Sequence, residues 1–246
     1  MARTSVAARE KRSSPPARRG SRIVRVLLWT LAFLIFFPMI EVLAVRYFDP
    51  SYTPLMLIRR VQGRRHSGPA PVPALRWVRL ENVSPYFLKA VWQTEDARFF
   101  THKGFDWVEV DHAVADAERL GKPTRGASTI TMQCARSLFL WQGRSWVRKP
   151  LEAYYTILME KMLTKRRIFE LYINVIETGD GLYGIEAASQ HYWHIPSKKL
   201  NASQAALITA MLPNPRDRTP LHPTAKVQRY VSRIIRKLRQ SPRWPL

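Results

Sequence analysis

The sequence predicts an all-α globular domain that follows a single N-terminal transmembrane helix. From Ser84 onward, apolar residues recur at three- and four-residue steps almost without interruption. No run of alternating polar and apolar residues indicates a sheet, and no internal repeat is present. Before this region lies an uncharged apolar run, Val26 to Ile40. The 246 residues are enough for one domain with a full core behind an N-terminal extension.

The N-terminal part of the chain has the pattern of a membrane anchor. Residues 1–22 are basic and contain few apolar residues, which predicts a disordered tail on the cytoplasmic side. Residues 23–45 are long enough to cross a bilayer, with Arg25 and Glu41 near the two ends. The positive charge before the span places the N-terminus in the cytoplasm and the rest of the chain outside. A cleaved signal peptide ending near Ala44 is the alternative, and the long basic lead disfavours it.

Residues 46–83 are predicted to form a linker and membrane-proximal segment, because they are rich in Pro and Arg. Their short apolar piece, 52–58, fits two interpretations. It forms one helix that docks on the domain, or it lies on the outer leaflet with its apolar side down and its basic side towards phosphates.

Residues 84–246 form the predicted globular domain, and its helix starts are indicated by capping residues. Ser84-Pro85 precedes the first helix, and Asp106 with Glu109 resembles a capping box. Thr164, and Asn201 with Gln204, indicate two later starts. After the first, the predicted helices run from 106 to about 120, 128 or 129 to 140, 150 to 163, 164 to 177, 185 to 192, 201 to 212 and 227 to 240.

The strongly positive net charge of the chain indicates an anionic binding partner. Lys and Arg number 40 against 18 Asp and Glu, a formal net charge of +22, which implies nucleic acid, an acidic membrane surface or a phosphate-bearing substrate. The single cysteine, Cys134, excludes an internal disulfide and a zinc site made of several cysteines. His191 and His194 form an H-x-x-H pair without further ligands at suitable spacing, so they are a weak metal candidate.

Glu95 is the strongest candidate for a catalytic group. It shares one predicted helical stripe with Leu88, Val91, Trp92 and Phe99. A carboxylate on a core-facing stripe loses solvation, which raises its pKa and makes it a better proton acceptor near neutral pH. Taken alone, such a glutamate more often fills a polar gap or pairs with a nearby cation.

Three further segments carry polar or charged side chains in unusual patterns. Residues 126–136, G-A-S-T-I-T-M-Q-C-A-R, place a glycine and two hydroxyl residues at a helix start, where free N–H groups suit a phosphate or sugar oxygen. Taken alone, the same residues more often form a plain Ser/Thr N-cap. Residues 144–153, R-S-W-V-R-K-P-L-E-A, combine three cations with Glu152 at spacings that let them flank one edge of a cleft. Taken alone, such a segment more often forms a solvated charged face. Residues 165–174, K-R-R-I-F-E-L-Y-I-N, are interpreted as mainly structural, with Ile168, Leu171 and Tyr172 as ordinary core contacts.

In this order and spacing, the four segments resemble the motifs of the peptidoglycan glycosyltransferases, and in particular the monofunctional biosynthetic transglycosylases. E-D-x-x-F-x-x-H-x-G matches from Glu95 to Gly104, and G-x-S-T-x-x-x-Q from Gly126 to Gln133. R-K-x-x-E ends at Glu152, and K-x-x-I-x-x-x-Y-x-N spans 165–174. The resemblance covers about residues 80–220. It implies a mainly α, lysozyme-like fold.

The resemblance also implies an activity. A member of this family polymerises lipid II into glycan strands with inversion at the sugar carbon, and Glu95 would be the general base on the acceptor 4-hydroxyl. Glu152 would be a second catalytic acid that orients a cation, either an arginine or a divalent metal such as Mg²⁺, and no organic cofactor is expected. The arginines at 136, 144 and 148 would stabilise the pyrophosphate leaving group. The predicted substrate-binding residues are Asp96, Phe99, His102, Gly126, Ser128, Thr129, Gln133, Arg136, Arg144, Arg148 and Lys149.

The implied partners are lipid II, the growing polyprenyl-pyrophosphate glycan chain, the inner membrane, and proteins of cell-wall synthesis or division. The domain would then be periplasmic.

The sequence departs from the family pattern at Arg136-Ser137, where Lys-Asn is usual, at Pro150 inside the third motif, and at Gln204, where an acid is common. No S-x-x-K or K-T-G motif of a serine acyl-transfer domain is present.

Two other functions are compatible with parts of the pattern. A lysozyme-like lytic enzyme also uses two carboxylates in an α-helical cleft, but it has no pyrophosphate to bind. A membrane-tethered nucleic-acid-binding protein would explain the charge, but no nucleic-acid module is visible and the basic residues are spread over several segments, so nucleic acid is not an expected partner.

Overall fold

The computed structural model describes residues 19–62, 75–121, 127–141, 143, 145–240 and 244–245. Its chain divides into two units, residues 1–40 and 41–246. The predicted sites Gly126 and Arg144 lie outside the described residues.

The described part of the first unit is helical. Helix α1 runs over Arg19–Tyr47, and its stretch Arg22–Tyr47 has a mean hydropathy of 2.3, long and apolar enough to cross a membrane. Large apolar side chains such as Leu27, Trp29 and Phe36 are exposed along it. The predicted span, 23–45, lies inside this helix.

The second unit is built almost entirely from helices, as the periodicity predicts. Their bounds are α2 Pro54–Gln62, α3 Pro85–Glu95, α4 Trp107–Leu120, α5 Ile130–Phe139, α6 Arg148–Met162, α7 Lys165–Val175, α8 Ile185–Trp193, α9 Ala202–Met211 and α10 Ala225–Gln240. Two single 3-10 turns, Leu80–Asn82 and Ser197–Lys199, complete the helical part.

Helix α5 is the centre of the unit, because it packs against both α6 and α7. Its Ile130, Cys134 and Ala135 are fully buried, and Ile168 and Leu171 of α7 are buried with them. Burial raises the pKa of the Cys134 thiol, so the only cysteine in the chain is a core residue and not a nucleophile.

A second core cluster joins α3, α9 and α10. Ala206 and Ala210 on α9 are small enough for close helix approach, and the apolar face of α10 packs on them. The buried residues of α10 are Val227, Val231, Ile234 and Leu238, which recur at three- and four-residue steps along one face.

Helix α2 contributes to the same unit through one face. Leu55 and Met56 are almost fully buried with Tyr183, whereas Leu57 and Val61 are exposed. Of the two interpretations of residues 52–58, the docking helix describes this arrangement.

Several predicted caps are present. Asp106 accepts a hydrogen bond from Glu109 N at 3.2 Å, and Thr129 rather than Ser128 caps α5 through Met132 N. Asn201 and Gln204 form the complete capping box. Ser84 precedes α3 as predicted, but its hydroxyl donates to Leu200 O at 2.6 Å instead of capping the helix.

The structure differs from the prediction at two helix ends. Helix α7 ends at Val175 and not at Glu177, because β1, Glu177–Gly179, pairs antiparallel with β2, Leu182–Tyr183. The sequence pattern does not predict this short hairpin. Helix α6 begins at Arg148, ahead of Pro150, because a proline in the first turn replaces an N–H that has no partner within the helix.

Candidate active site

Glu95 is the last residue of α3 and faces a cleft of about 460 Å³. The helix stops there because Asp96 adopts φ −164° and ψ 80°. Leu88, Val91 and Trp92 are buried behind the glutamate, as the stripe predicts. The cleft is lined by Gln93, Thr94, Glu95, Asp96, Ala97, Arg98, Asp106, Glu109, Ala127, Ser128, Thr129, Gln133, Arg136, Leu212, Pro213, Tyr230 and Lys237.

The Glu95 carboxylate is held by α5. Gln133 Nε2 donates to Glu95 Oε2 at 3.1 Å and also lies 3.4 Å from Ser128 O. Its carbonyl Oε1 accepts from the Tyr172 hydroxyl at 3.1 Å. Thr129, Gln133 and Arg136 follow one another at four- and three-residue steps, so the predicted motif on α5 presents one face to the cleft.

Burial raises the pKa of Glu95 above its usual value, and this is the largest effect on the group. The hydrogen bond from Gln133 lowers the pKa, and the negative charge of Asp96 raises it further. The side chain keeps partial contact with the cleft while protein atoms surround most of it. A carboxylate in this position accepts a proton more readily than one in water.

Asp96 connects the loop after α3 to the start of α5 through hydrogen bonds. Its carboxylate lies 2.9 and 3.1 Å from His102 Nε2, and it accepts a hydrogen bond from Ile130 N at 2.9 Å. His102 Nδ1 accepts from Gly104 N at 3.1 Å, and Gly104 O accepts from the Thr129 hydroxyl at 2.6 Å. These bonds fasten the loop after α3 to the start of α5 and thereby fix Glu95 against Gln133.

Arg136 lies where this cleft meets a second one of about 280 Å³, and it lines both. The second cleft also contains Arg59 and Arg216, whose charges are met by Glu177 at 3.7 and 3.8 Å. Within the described residues, Arg136 forms no ion pair, and its buried Nε has no hydrogen-bond partner. A buried guanidinium nitrogen without an acceptor favours an anionic ligand at this point.

Glu152 is fully buried and pairs with the two cations of its own motif. Lys149 Nζ lies 2.8 Å from Oε1, and Arg148 Nη1 contacts Oε2. Arg148 Nε donates to Gly143 O at 2.8 Å, which ties the start of α6 to the segment that contains Arg144. Glu152, Arg148 and Lys149 line neither of the two clefts.

The structure therefore brings together part of the predicted set. Glu95, Asp96, Ser128, Thr129, Gln133 and Arg136 surround one cleft. Phe99 does not contact it: the side chain is fully buried, and its ring packs on Phe169 with Lys165 Nζ 4.4 Å above it. His102 is also buried and acts through Asp96. In this conformation the two rings support the loop that follows α3: Phe99 packs on α7, and His102 bonds to Asp96.

Sequence reasoning missed several residues that line the cleft. Arg98 lies 3.3 Å from Asp106, and both contact the cleft. Tyr230 and Lys237 of α10 close it from the other side. Their seven-residue separation places both on the α10 face towards α3, but nothing in the sequence pairs α10 with α3.

The residues around Glu152 do not fit a divalent metal. Both carboxylate oxygens of Glu152 already contact side-chain cations. Among the described residues, Glu152 belongs to no cluster of acidic or histidine side chains that could bind a metal ion. One described group, Asp96, His102 and Asp106, has ligand atoms within 4.8 Å of one another. Both His102 nitrogens are already hydrogen-bonded there. His191 and His194 belong to no such group of three in the described part of the chain.

Comparison with known proteins identifies the family. A model of the transglycosylase family matches residues 70–239. The chain belongs to the transglycosylase family. This transglycosylase is 41% identical over 217 residues to a biosynthetic peptidoglycan transglycosylase of Rhodospirillum centenum, covering 88% of this chain and 91% of the relative. It is 40% identical over 226 residues to the protein of the same name from Bacteroides thetaiotaomicron, covering 91% and 90%. A third, from Xanthomonas campestris pv. campestris, is 39% identical over 234 residues, covering 94% and 93%.

Family membership confirms the resemblance drawn from the four motifs, and with it the lysozyme-like, mainly α fold of the second unit. This transglycosylase is an enzyme of the glycosyltransferase class.

Proposed function

We propose that this transglycosylase polymerises lipid II into peptidoglycan glycan strands, with Glu95 as the general base and a lipid pyrophosphate as the leaving group. The names of its relatives support peptidoglycan as the product class. The observation that carries the mechanism is the position of Glu95: a carboxylate with a raised pKa faces a cleft that also contains Arg136.

In the proposed step, Glu95 removes the proton from the 4-hydroxyl of the incoming sugar as the oxygen attacks the donor sugar carbon. A sugar hydroxyl is a poor nucleophile until its proton is being taken, and the raised pKa matches Glu95 to this task near neutral pH. Gln133 keeps the carboxylate pointed into the cleft. Attack from the side opposite the leaving group inverts the configuration at the donor carbon.

The leaving pyrophosphate needs charge stabilisation more than it needs a proton. Arg136 lines both clefts and has a buried Nε without a partner among the described residues, so it is the cation best placed to bind a departing phosphate oxygen. Arg144 remains a proposed second contact. Arg148 is engaged with Glu152 and Gly143 O, so we assign Arg148, Lys149 and Glu152 to holding the segment next to Arg144.

The proposed location follows from α1 and from the basic N-terminal tail. An apolar span of 26 residues allows a single-pass anchor in the inner membrane, with the tail in the cytoplasm and the enzyme domain in the periplasm. Anchoring confines the enzyme and its polyprenyl-linked substrates to two dimensions. Anionic headgroups also attract the strongly basic chain. Proteins of wall synthesis or division are the partners expected there.

The decisive experiment is lipid II polymerisation by the detergent-solubilised full chain. Glu95→Gln should abolish glycan formation, because the amide cannot accept the proton, while lipid II binding persists. Glu118→Gln removes one acidic charge from an exposed position on α4 and is the matched control. Near-normal turnover by Glu95→Gln would exclude the base role. Shortening of preformed glycan without lengthening of lipid II would instead indicate a lytic enzyme.

A further inference from the structure

Tyr172 of α7 lies directly behind the residue that holds the proposed base. Its side chain is 1% exposed, and its hydroxyl donates to Gln133 Oε1 at 3.1 Å. The sequence pattern of α7 gives Tyr172 the appearance of a plain core residue. A core position alone needs no hydroxyl, since phenylalanine fills nearly the same volume.

The hydrogen bond from Tyr172 determines which end of the Gln133 amide faces Glu95. The carbonyl end receives the tyrosine proton, and the amino end points at two acceptors, Glu95 Oε2 at 3.1 Å and Ser128 O at 3.4 Å. The opposite orientation would place the amide oxygen against the carboxylate and would disfavour its charged form.

The environment of Tyr172 keeps its hydroxyl a donor. Burial raises the pKa of Tyr172 well above its usual value, and the negative charge of Glu95 raises it further, so the phenol stays protonated throughout the pH range in which Glu95 ionises. The three side chains come from α3, α5 and α7, so the arrangement exists only in the packed domain.

We propose that Tyr172 is a positioning residue that orients the Gln133 amide and thereby holds Glu95 in its ionised, cleft-facing state. This inference rests on the proposed function, since it assigns Tyr172 a role only if Glu95 is the base. Tyr172 lines the second cleft beside Gln133 and Arg136, but its hydroxyl is bonded to Gln133, so the role proposed for it is exerted through Gln133.

The test measures the pH profile of lipid II polymerisation for Tyr172→Phe. Without the hydroxyl, the Gln133 amide loses its orientation, and the carboxylate loses part of a bond that lowers its pKa. The acid limb of kcat should therefore move to higher pH by about half to one unit, and kcat at neutral pH should fall about three- to tenfold. KM should change little. Tyr183→Phe is the matched control, because the buried Tyr183 hydroxyl has no hydrogen-bond partner among the described residues.

A double-mutant cycle with Gln133→Ala separates positioning from packing. If Tyr172 acts through Gln133, adding Tyr172→Phe to Gln133→Ala should change kcat and the acid limb no further. Additive losses, an unmoved acid limb, or a change confined to KM would overturn the inference. If Glu95→Gln is inactive and Tyr172→Phe shows the wild-type profile, only this inference fails. If Glu95→Gln is active, the proposed function fails with it.

Discussion

At Glu95, burial raises the pKa of a carboxylate that the proposed mechanism requires in its charged form. A raised folded-state pKa means that the folded protein binds this proton more tightly than the unfolded chain does. As the pH rises from the ordinary value of 4.5 through the raised value, this group therefore reduces the stability of the fold. If Glu95 is the base, as we propose, the same shift places the loss of activity at a higher pH than for an ordinary glutamate, because activity falls once the base is protonated.

We expect Glu95→Gln to unfold at a higher temperature than the wild-type protein at about pH 7, since the amide carries no buried charge. The difference should shrink as the pH falls towards 4.5, because the raised pKa makes the folded wild-type side chain take up a proton before an ordinary glutamate would. Thermal unfolding in detergent at several pH values measures this. The exposed Glu118→Gln should show no such trend. A Glu95→Gln protein that is less stable at neutral pH would mean that neighbouring groups stabilise the ionised carboxylate.

Glu152 shows the opposite relation between charge and stability. Its fully buried carboxylate compensates the buried guanidinium of Arg148 and also binds Lys149, whose side chain is largely exposed. Removal of the acid leaves Arg148 as an uncompensated charge in the interior, whereas loss of Lys149 leaves the central pair intact.

Glu152→Gln should therefore lower the free energy of unfolding by about 3–5 kcal/mol, and Lys149→Met by at most about 1 kcal/mol. Denaturant unfolding of the two variants provides the comparison. Equal, small effects would show that the buried pair contributes little. Because the Glu152 environment does not fit a metal, EDTA and Mg²⁺ should leave the difference between the variants unchanged.

Among the elements, α7 connects the hairpin, α8 and the segment before α3. Asn174 near its end donates to Val78 O and accepts from Val78 N, both at 2.9 Å. Gly184, which follows the hairpin, packs closely against the last turn of α7. It has φ +77°, and a Cβ there would lie 2.5 Å from Asn174 O. The backbone at position 184, next to the end of the 165–174 motif, therefore requires glycine for both conformational and steric reasons.

Gly184→Ala should destabilise the protein by about 2–4 kcal/mol, because it adds a clash with backbone to the strain of a positive φ. Gly121→Ala is the matched control: Gly121 has φ +63°, and no atom of the described residues lies within 4 Å of the point that a Cβ would occupy there. It should cost about 1 kcal/mol, the conformational part alone. Denaturant midpoints for the pair separate the two contributions, and equal costs would refute the steric one.

For the whole molecule, the end of α1 is joined to the enzyme domain by several hydrogen bonds. Arg167 donates to Val45 O and Phe48 O, both at 2.9 Å, and Arg46 donates to Met162 O at 2.9 Å. Tyr155 donates to Glu41. These contacts lie within the second unit and hold residues 41–48 against α6 and α7, the helices that pack on α5.

The single, buried Cys134 makes the proposed topology testable by labelling, since it gives a low background with a membrane-impermeant maleimide. In intact spheroplasts, Glu118→Cys should label and Ser5→Cys should label only after lysis. The reverse pattern would place the enzyme domain in the cytoplasm and contradict the proposed function. Labelling of the unsubstituted chain measures the background from Cys134.

The sequence by itself determined the helical class, most helix starts and the apolar span, and it singled out Glu95 as the candidate base. These features depend on local chemistry: helical periodicity, capping side chains and motif spacing act over a few residues. It also indicated the α5 face that carries Thr129, Gln133 and Arg136. Only the tertiary structure decided which motif residues reach the cleft. Phe99 and Glu152 are buried in the core, whereas Tyr230 and Lys237 arrive from a helix more than a hundred residues further along the chain. The link from Tyr172 through Gln133 to Glu95 joins three helices, so it depends on their packing, which no local pattern encodes.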